Sequence, residues 1–405
     1  MRAYSYASYI AAGEIRARLE DKSFRCVREM VQQGTFPGGV DFPKPAAKND
    51  SVHLELPLRV NWCGGWTDTP PYCLENGGAV VNVAVKIKGR LPVRVLAEKI
   101  SEPKIVLEYF DSGDIGEFRE TKQLSDFSIE QNPFPLLQAA LMVCGLVAFP
   151  GREERWNLFE CLSGGLHLST GVVDIPKGSG LGTSSILLAA CVKGLLAFQG
   201  IDASDAEICR RVLLAEQLMG TGGGWQDQMG GLAGGIKLVR AERGNRQEVR
   251  SEQLLAPPMF MEELRKRFCL VYSGRRRLGR TILRQIMSGY IQSDALFVES
   301  LRQTRELALE AKKNIEAGNM DGFIANLNRQ TQLTKTLDTG FADEDLEKIF
   351  RACADMTAGR MICGAGGGGF IQIILREGFS RQQLNDRLKE SFPGRGIEVW
   401  ECDFV

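Results

Sequence analysis

Residues 176–185 read PKGSGLGTSS, with glycine at 178, 180 and 182, hydroxyl side chains at 183–185 and an apolar stretch behind them. Glycine lets main-chain N–H groups approach an anion with no Cβ in the way. A helix starting after such a loop adds free N–H donors and the positive end of its dipole. Thr183, Ser184 or Ser185 can cap that helix, and one of them can reach a metal ion. The segment is therefore an anion cradle, suited to phosphate. A Walker A loop needs a lysine after its last glycine, and none stands there. A dinucleotide fingerprint needs G-x-G-x-x-G and an acid ending the second strand. Here the spacing is G-x-G-x-G, and Asp202 falls in a turn between two helices.

A second constellation is EQLMGTGGGWQDQMGG, 216–231. It holds Glu216 near the end of a helix and Asp227 beyond a glycine-rich loop. Two acids close in sequence beside a phosphate cradle suit Mg²⁺ binding and proton abstraction. Glycine around them, Gly223 and Gly224 included, allows a substrate to come close. A third segment, RVNWCGGWTDTPPY (59–72), ends a strand in a Gly64-Gly65 turn carrying Trp66, Thr67 and Asp68, a reasonable surface for a sugar. The fourth, CGAGGGGF (363–370), has four consecutive glycines. These are costly in entropy and make sense where backbone passes close to a ligand or another loop.

The elements that must position these residues follow from periodicity. Over 52–62, Val52, Leu54, Leu56, Leu58, Val60 and Trp62 alternate with polar residues. This predicts one strand with Arg59 pointing away from the core, at an edge or bulge because of Pro57. Further strands are expected at 79–85, 91–97, 166–174, 268–273 and on both sides of the 363–370 glycines. A buried helix is expected over 184–199 and another over 204–219, opened by a Ser204/Glu207 capping box and closed at Gly220. Ile208, Val212, Ala215 and Met219 form its apolar stripe, and Glu216 sits one position off it. Several helices fill 280–357, and a last one lies near 380–391. Residues 1–34 read as helical and 34–50 as a Gly/Pro-rich linker.

Composition narrows the function. The 50 basic and 50 acidic residues cancel, so no basic surplus points to nucleic acid or an anionic membrane. The longest apolar stretch, near 136–150, is too short to span a bilayer, and the first residues do not build a signal peptide. With eleven scattered cysteines, no C-x-x-C pair and only two histidines, a zinc site and a His-dependent nucleophile are disfavoured. The cysteines fit buried thiols of a cytoplasmic protein, and the general base falls to a carboxylate.

The strand-Arg59-turn, PKGSGLGTSS and GAGGGG, in this order, resemble the three motifs of the GHMP kinases, from about residue 52 to the C-terminus. The resemblance implies an α+β fold of two domains. An ATP-binding domain like the second domain of ribosomal protein S5 is expected over 51–255, and a ferredoxin-like domain over 256–405. The active site lies between them, and 1–50 is a helical extension and linker. The resemblance also implies ATP and Mg²⁺, with the phosphate loop on Lys177, Gly178, Ser179, Gly180, Leu181, Gly182, Thr183, Ser184 and Ser185. The metal falls on Ser185 and Glu216 and the catalytic carboxylate on Asp227. Arg59 beside it stabilises charge on the transferring phosphoryl group. Asp68 falls on the sugar-contacting aspartate of galactokinase, with Trp66, Thr67, Gly223 and Gly224 around the substrate. The Glu-His pair of galactokinase is replaced by Gly65 and Trp66. GGWTDTPPYCLENGGAVVN instead resembles L-fucokinases and, more loosely, heptose-phosphate kinases. Some fucokinase-like enzymes carry a nucleotidyltransferase module upstream, and 1–34 is where such a module would join. A heptose 7-phosphate would need a basic pocket, for which Arg275, Arg276, Arg277 and Arg280 are candidates. A non-catalytic sugar sensor on the same fold is the alternative from another class. The presence together of Arg59, Ser185, Glu216 and Asp227 argues against it.

Overall fold

The computed structural model describes residues 1–11, 13–35, 42–125, 132–275, 280–338, 343–364 and 368–405. The chain opens with α1 (Arg2–Ile10) and α2 (Gly13–Thr35). The first half continues with β1 (Ser51–Leu56), β2 (Leu58–Cys63), α3 (Tyr72–Asn76), β3 (Gly78–Ile87), β4 (Val93–Ile100), β5 (Ile105–Tyr109) and β6 (Asp114–Phe118). Then come α4 (Pro135–Val143), α5 (Leu158–Leu162), β7 (Gly165–Val172), α6 (Thr183–Phe198), α7 (Asp205–Met219), α8 (Gln226–Leu232), β8 (Ile236–Ala241) and β9 (Arg250–Gln253). The second half holds α9 (Pro258–Arg267), β10 (Phe268–Tyr272), α10 (Arg280–Ile291), α11 (Ala295–Glu316), α12 (Met320–Leu337) and α13 (Glu344–Ala352). It ends with β11 (Thr357–Ile362), β12 (Phe370–Leu375), α14 (Arg381–Ser391), β13 (Glu398–Trp400) and β14 (Cys402–Phe404).

Three sheets result. One runs β1-β4-β7-β5-β6, one β11-β12-β10-β13, and one β14-β3-β8-β9 with β2 also on β3. The single strand expected over 52–62 is two strands in two sheets. β1 pairs with β4, and β2 pairs with β3. Pro57 stands at the break, where it has no N–H to give a ladder. Up to Leu56 the outward residues His53 and Glu55 are exposed, as alternation requires. From Leu58 to Cys63 every residue is buried, so Arg59 does not point to solvent but into a closed interior. β5, β6, β8, β9, β13 and β14 are strands that the sequence reading passed over.

Helix α6 lies inside the first half, with residues 186–192 buried, and packs on β1, β4, β7, α7 and α8. Helices α11 and α12 pair with each other; α11 rests on β2 and β3, and α12 on β2 and β11, so they bind the two halves together. Trp62 of β2 meets Phe323 of α12 edge-on at 4.9 Å between ring centres. The N-terminal helices are a packed extension. α2 lies on α7, Arg2 pairs with Glu75 of α3, and Arg284 of α10 pairs with Asp21 and lies over Phe24. The eleven cysteines are free thiols, buried except Cys26 and Cys161. Among the described residues no helix is long and apolar enough to cross a membrane.

Candidate active site

The glycines of the phosphate loop take conformations that other residues rarely adopt: φ is +76° at Gly178, +79° at Gly180 and +75° at Gly182. Gly182 is also the N-cap of α6, and no side-chain oxygen caps that helix. The capping expected from Thr183, Ser184 or Ser185 is therefore not found, because a left-handed Gly182 leads the chain directly into the first turn. The first N–H groups of α6 are left without a side-chain acceptor at the end where an anion would sit.

Arg59 of β2 reaches into this turn. Its Nε and Nη2 donate to Asp227 Oδ1 at 2.8 and 2.7 Å, and its Nη1 donates to the Gly180 carbonyl at 2.9 Å. One guanidinium thus ties the loop to the acid, two segments far apart in sequence. A Cβ on Gly182 would stand 3.1 Å from Asp227 Cγ and 3.2 Å from Arg59 Nε, so the glycine makes room for the pair. Asp227 is not in a free loop, as its flanking glycines suggested, but in the first turn of α8.

Glu216 is buried at 4% exposure although it lies off the stripe of α7, because the chain after Gly220 folds back over it. Its Oε1 accepts Ser185 Oγ at 2.8 Å, and Oε2 accepts the Thr221 hydroxyl. Burial, with the Asp227 charge adding to it, raises its carboxyl to about 7, against the pull of the Ser185 bond. No lysine or arginine among the described residues pairs with it.

Asp68, at 1% exposure, accepts from the Gln226 main-chain N–H at 3.2 Å and from Gln226 Nε2 at 3.0 Å. Burial, then the charge of Asp227, pushes it up to about 7 from 3.8. The folded state thus holds a proton that the unfolded chain gives up. By linkage, stability falls as pH rises through the window from 3.8 to about 7. Asp68→Asn has no charge to bury, so its melting temperature should fall less over that range than the wild type's. Glu216 leaves a residual slope of the same sign. Melting curves across pH check this, and an unchanged slope would remove Asp68 as its source.

These groups line one cavity of about 380 Å³ between the two halves. Its wall includes Gly178, Ser179, Gly180 and Gly182–Ser185 of the loop, with Arg59, Trp66, Asp68, Glu216, Gly223, Gly224 and Asp227. Three residues expected at the site do not line it. The Lys177 side chain is exposed, and Leu181 is in the core. Thr67 is fully buried, its hydroxyl donating to the carbonyls of Gly64 and Ala79, where it staples the turn. The described ends of the 363–370 segment lie against the phosphate loop: Phe370 N–H donates to the Ser179 carbonyl at 2.9 Å, and Gly364 abuts Gly180. Ala365, Gly366 and Gly367 lie outside the described residues.

The GHMP kinases N terminal domain profile matches residues 153–235. A bifunctional fucokinase/GDP-fucose pyrophosphorylase of Arabidopsis thaliana is 36% identical over 337 residues, 83% of this chain and 31% of that protein. An L-fucokinase/L-fucose-1-P guanylyltransferase of Bacteroides fragilis is 33% identical over 343 residues, 83% of this chain and 36% of that one. Residues 153–235 are thus those of a GHMP kinase N-terminal domain. The chain spans about a third of the length of these two relatives. The crystal structure of a D-glycero-D-manno-heptose 1-phosphate kinase from Bacteroides thetaiotaomicron shares the fold. The TM-score is 0.61 at 17% identity, covering 87% of this chain and 99% of that one. The two-domain α+β architecture is thus that of the GHMP kinases.

Within this site the sequence reading missed Asn61, Gln226, Gln330 and Thr334. Gln330 and Thr334 come from α12, and Gln330 Oε1 accepts the Gly64 N–H at 2.9 Å, fixing the Trp66 turn. Among the Arg275–Arg280 candidates, Arg275 is engaged with Asp343 at 2.5 Å and Asp345 at 3.4 Å, off the cavity wall. Arg276, Arg277 and the side chain of Arg280 lie outside the described residues.

Proposed function

We propose that this chain is an ATP-dependent sugar kinase that converts L-fucose and ATP to β-L-fucose 1-phosphate and ADP. The observation that carries the reading is the Arg59–Asp227 pair, set at 2.7 Å between the phosphate loop and the Asp68 turn. The names of the two relatives at 36% and 33% identity support fucose as the sugar.

The loop amides from Gly178 to Ser185 and the start of α6 hold the phosphates. The sugar rests against Trp66, Asp68, Gly223 and Gly224. Asp227 Oδ1 is taken up by Arg59, which leaves Oδ2 to accept the proton of the attacking hydroxyl. The hydroxyl oxygen bonds to the γ-phosphorus as the bond to the ADP oxygen breaks, and Arg59 faces the charge spread over the transferring group. Ser185 and Glu216 would hold Mg²⁺. They are hard oxygen donors, and Glu216 is a buried carboxyl group with no basic partner among the described residues. Few protein ligands are needed, since Mg²⁺ is commonly held by one or two carboxylates together with substrate phosphates. When bound, it neutralises charge on the β- and γ-phosphates.

The test is ADP release with L-fucose, galactose, arabinose and heptose phosphates, each against a no-sugar control. L-fucose is expected to give the highest kcat/KM. Preference for a heptose phosphate would overturn the fucose assignment, and no sugar-dependent ADP would overturn the kinase reading.

A further inference from the structure

Trp66 has φ +78°, in the left-handed region, although it is not a glycine. A bulky residue is strained there and stays only where its surroundings hold it. Trp66 packs with Leu283 of α10 against the cluster around Tyr72 and Ile286, and both line the cavity. Its turn is held from within: the Thr67 N–H donates to the Gly64 carbonyl, and the Thr69 N–H to the Trp66 carbonyl, each at 3.2 Å. One further bond comes from the other half of the molecule. Gly64 is wedged where a Cβ would stand 2.0 Å from the Ala79 carbonyl oxygen and 2.9 Å from Ala308 Cβ of α11. Its buried N–H donates to Gln330 Oε1 of α12 at 2.9 Å. Gln330 is fixed in turn. Its Nε2 donates to Thr334 Oγ1 at 3.2 Å, and Thr334 Oγ1 donates to the Gln330 carbonyl at 2.9 Å. A main-chain N–H demands the oxygen end of the amide, so this orientation depends on no group that titrates. At 1% exposure Gln330 has little surface to offer a ligand, and both ends of its amide are bonded within the protein.

Building on the sugar-kinase reading, we propose that Gln330 is a positioning residue for the sugar. By holding the Gly64 N–H it keeps Trp66 in its left-handed conformation, with the indole on the cavity wall. Affinity for the sugar therefore depends on α12, in the second half of the chain, through a turn set before the sugar arrives. The 178–185 loop, which holds the phosphates in that reading, is no part of this set of bonds. Gln330→Met keeps the length of the side chain but has no acceptor of comparable strength. It leaves the Gly64 N–H unpaired in a buried place, and the turn relaxes towards a conformation that tryptophan tolerates.

The experiment measures KM for ATP and for the sugar with the highest kcat/KM in the ADP-release screen. It uses four proteins: the wild type, Gln330→Met, Trp66→Gly and the double variant, each with a melting curve. Gln330→Met should raise the sugar KM by about 10- to 100-fold and leave the KM for ATP unchanged. Glycine takes positive φ at no steric cost, so a turn with glycine at 66 needs no holding. Trp66→Gly has a raised sugar KM of its own, since the indole is gone. Adding Gln330→Met to it should change that KM by a factor close to one. A role in the fold alone would raise the two KM values of Gln330→Met alike, or neither. Either result, or the same factor on the sugar KM in both backgrounds, overturns the proposal. If the wild type transfers phosphate to no sugar, the kinase reading fails and takes this one with it. Should Gln330→Met not fold by its melting curve, Gln330→Asn, which withdraws the acceptor by one methylene, is read in the same way.

Discussion

Asp227→Asn is expected to cut kcat by about 10²- to 10⁴-fold, the range for losing a general base. The geometry makes this substitution clean. Both Arg59 bonds fall on Oδ1, so the amide can turn its oxygen to Arg59 and present NH₂ where Oδ2 was. The pair survives, but the group facing the substrate hydroxyl now donates and cannot take a proton. No histidine stands near in sequence to replace it. The loose transition state of phosphoryl transfer makes early proton removal less necessary, which favours the lower end of the range. ATP and sugar should bind within about an order of magnitude of wild type, since the lost term belongs to the transition state. The measurements are kcat, calorimetric affinities and a melting curve. A folded variant keeping half of the wild-type kcat would make Asp227 an anchor for Arg59 instead of a base.

Glu216→Gln should lower activity by more than about 10- to 100-fold at limiting Mg²⁺, the cost commonly seen for losing merely an outer partner of a bound metal. Excess Mg²⁺ should recover part of it. The amide oxygen can still accept from Ser185 or Thr221, and the variant buries no charge, so its melting temperature should not fall. An unchanged Mg²⁺ requirement would remove Glu216 from the metal site. A folded protein with a steeper Mg²⁺ requirement would keep it there.

What was legible in the chain were groups whose reason for being there is local. Gly178, Gly180 and Gly182 announce a turn that only glycine tolerates, and hydroxyls followed by an apolar run announce the helix behind it. Asp227 stood out as the only acid in the glycine-rich stretch from Gly220 to Gly231. What was not legible depends on segments remote in sequence. Glu216 reads as off the stripe of its own helix, and what buries it is the return of residues 221–223. Gln330 acts on Gly64 from 266 positions away, and no local pattern marks it. Thr67 looked like its neighbours Trp66 and Asp68, yet a turn has an inside and an outside, and its hydroxyl faces in. The break at Pro57 did leave a mark. The proline was visible as a defect in one strand, but that it moves the chain from one sheet to another, and encloses Arg59, follows only from what β3 and β4 pair with.

Among the described residues, the closest approaches between the phosphate loop and the ends of the 363–370 segment are main-chain ones: the Ser179 carbonyl with the Phe370 N–H, and Gly180 with Gly364 and the Cys363 carbonyl. The hydrogen bond and the closest approaches of this seam use no side-chain atoms, although the Cys363 side chain packs beside them and Arg59 holds the Gly180 carbonyl. The lever left to mutation is bulk. A single methyl at Gly180 would meet the Cys363 carbonyl oxygen at 2.4 Å, acting as a wedge between the halves while leaving every charged group of the site in place.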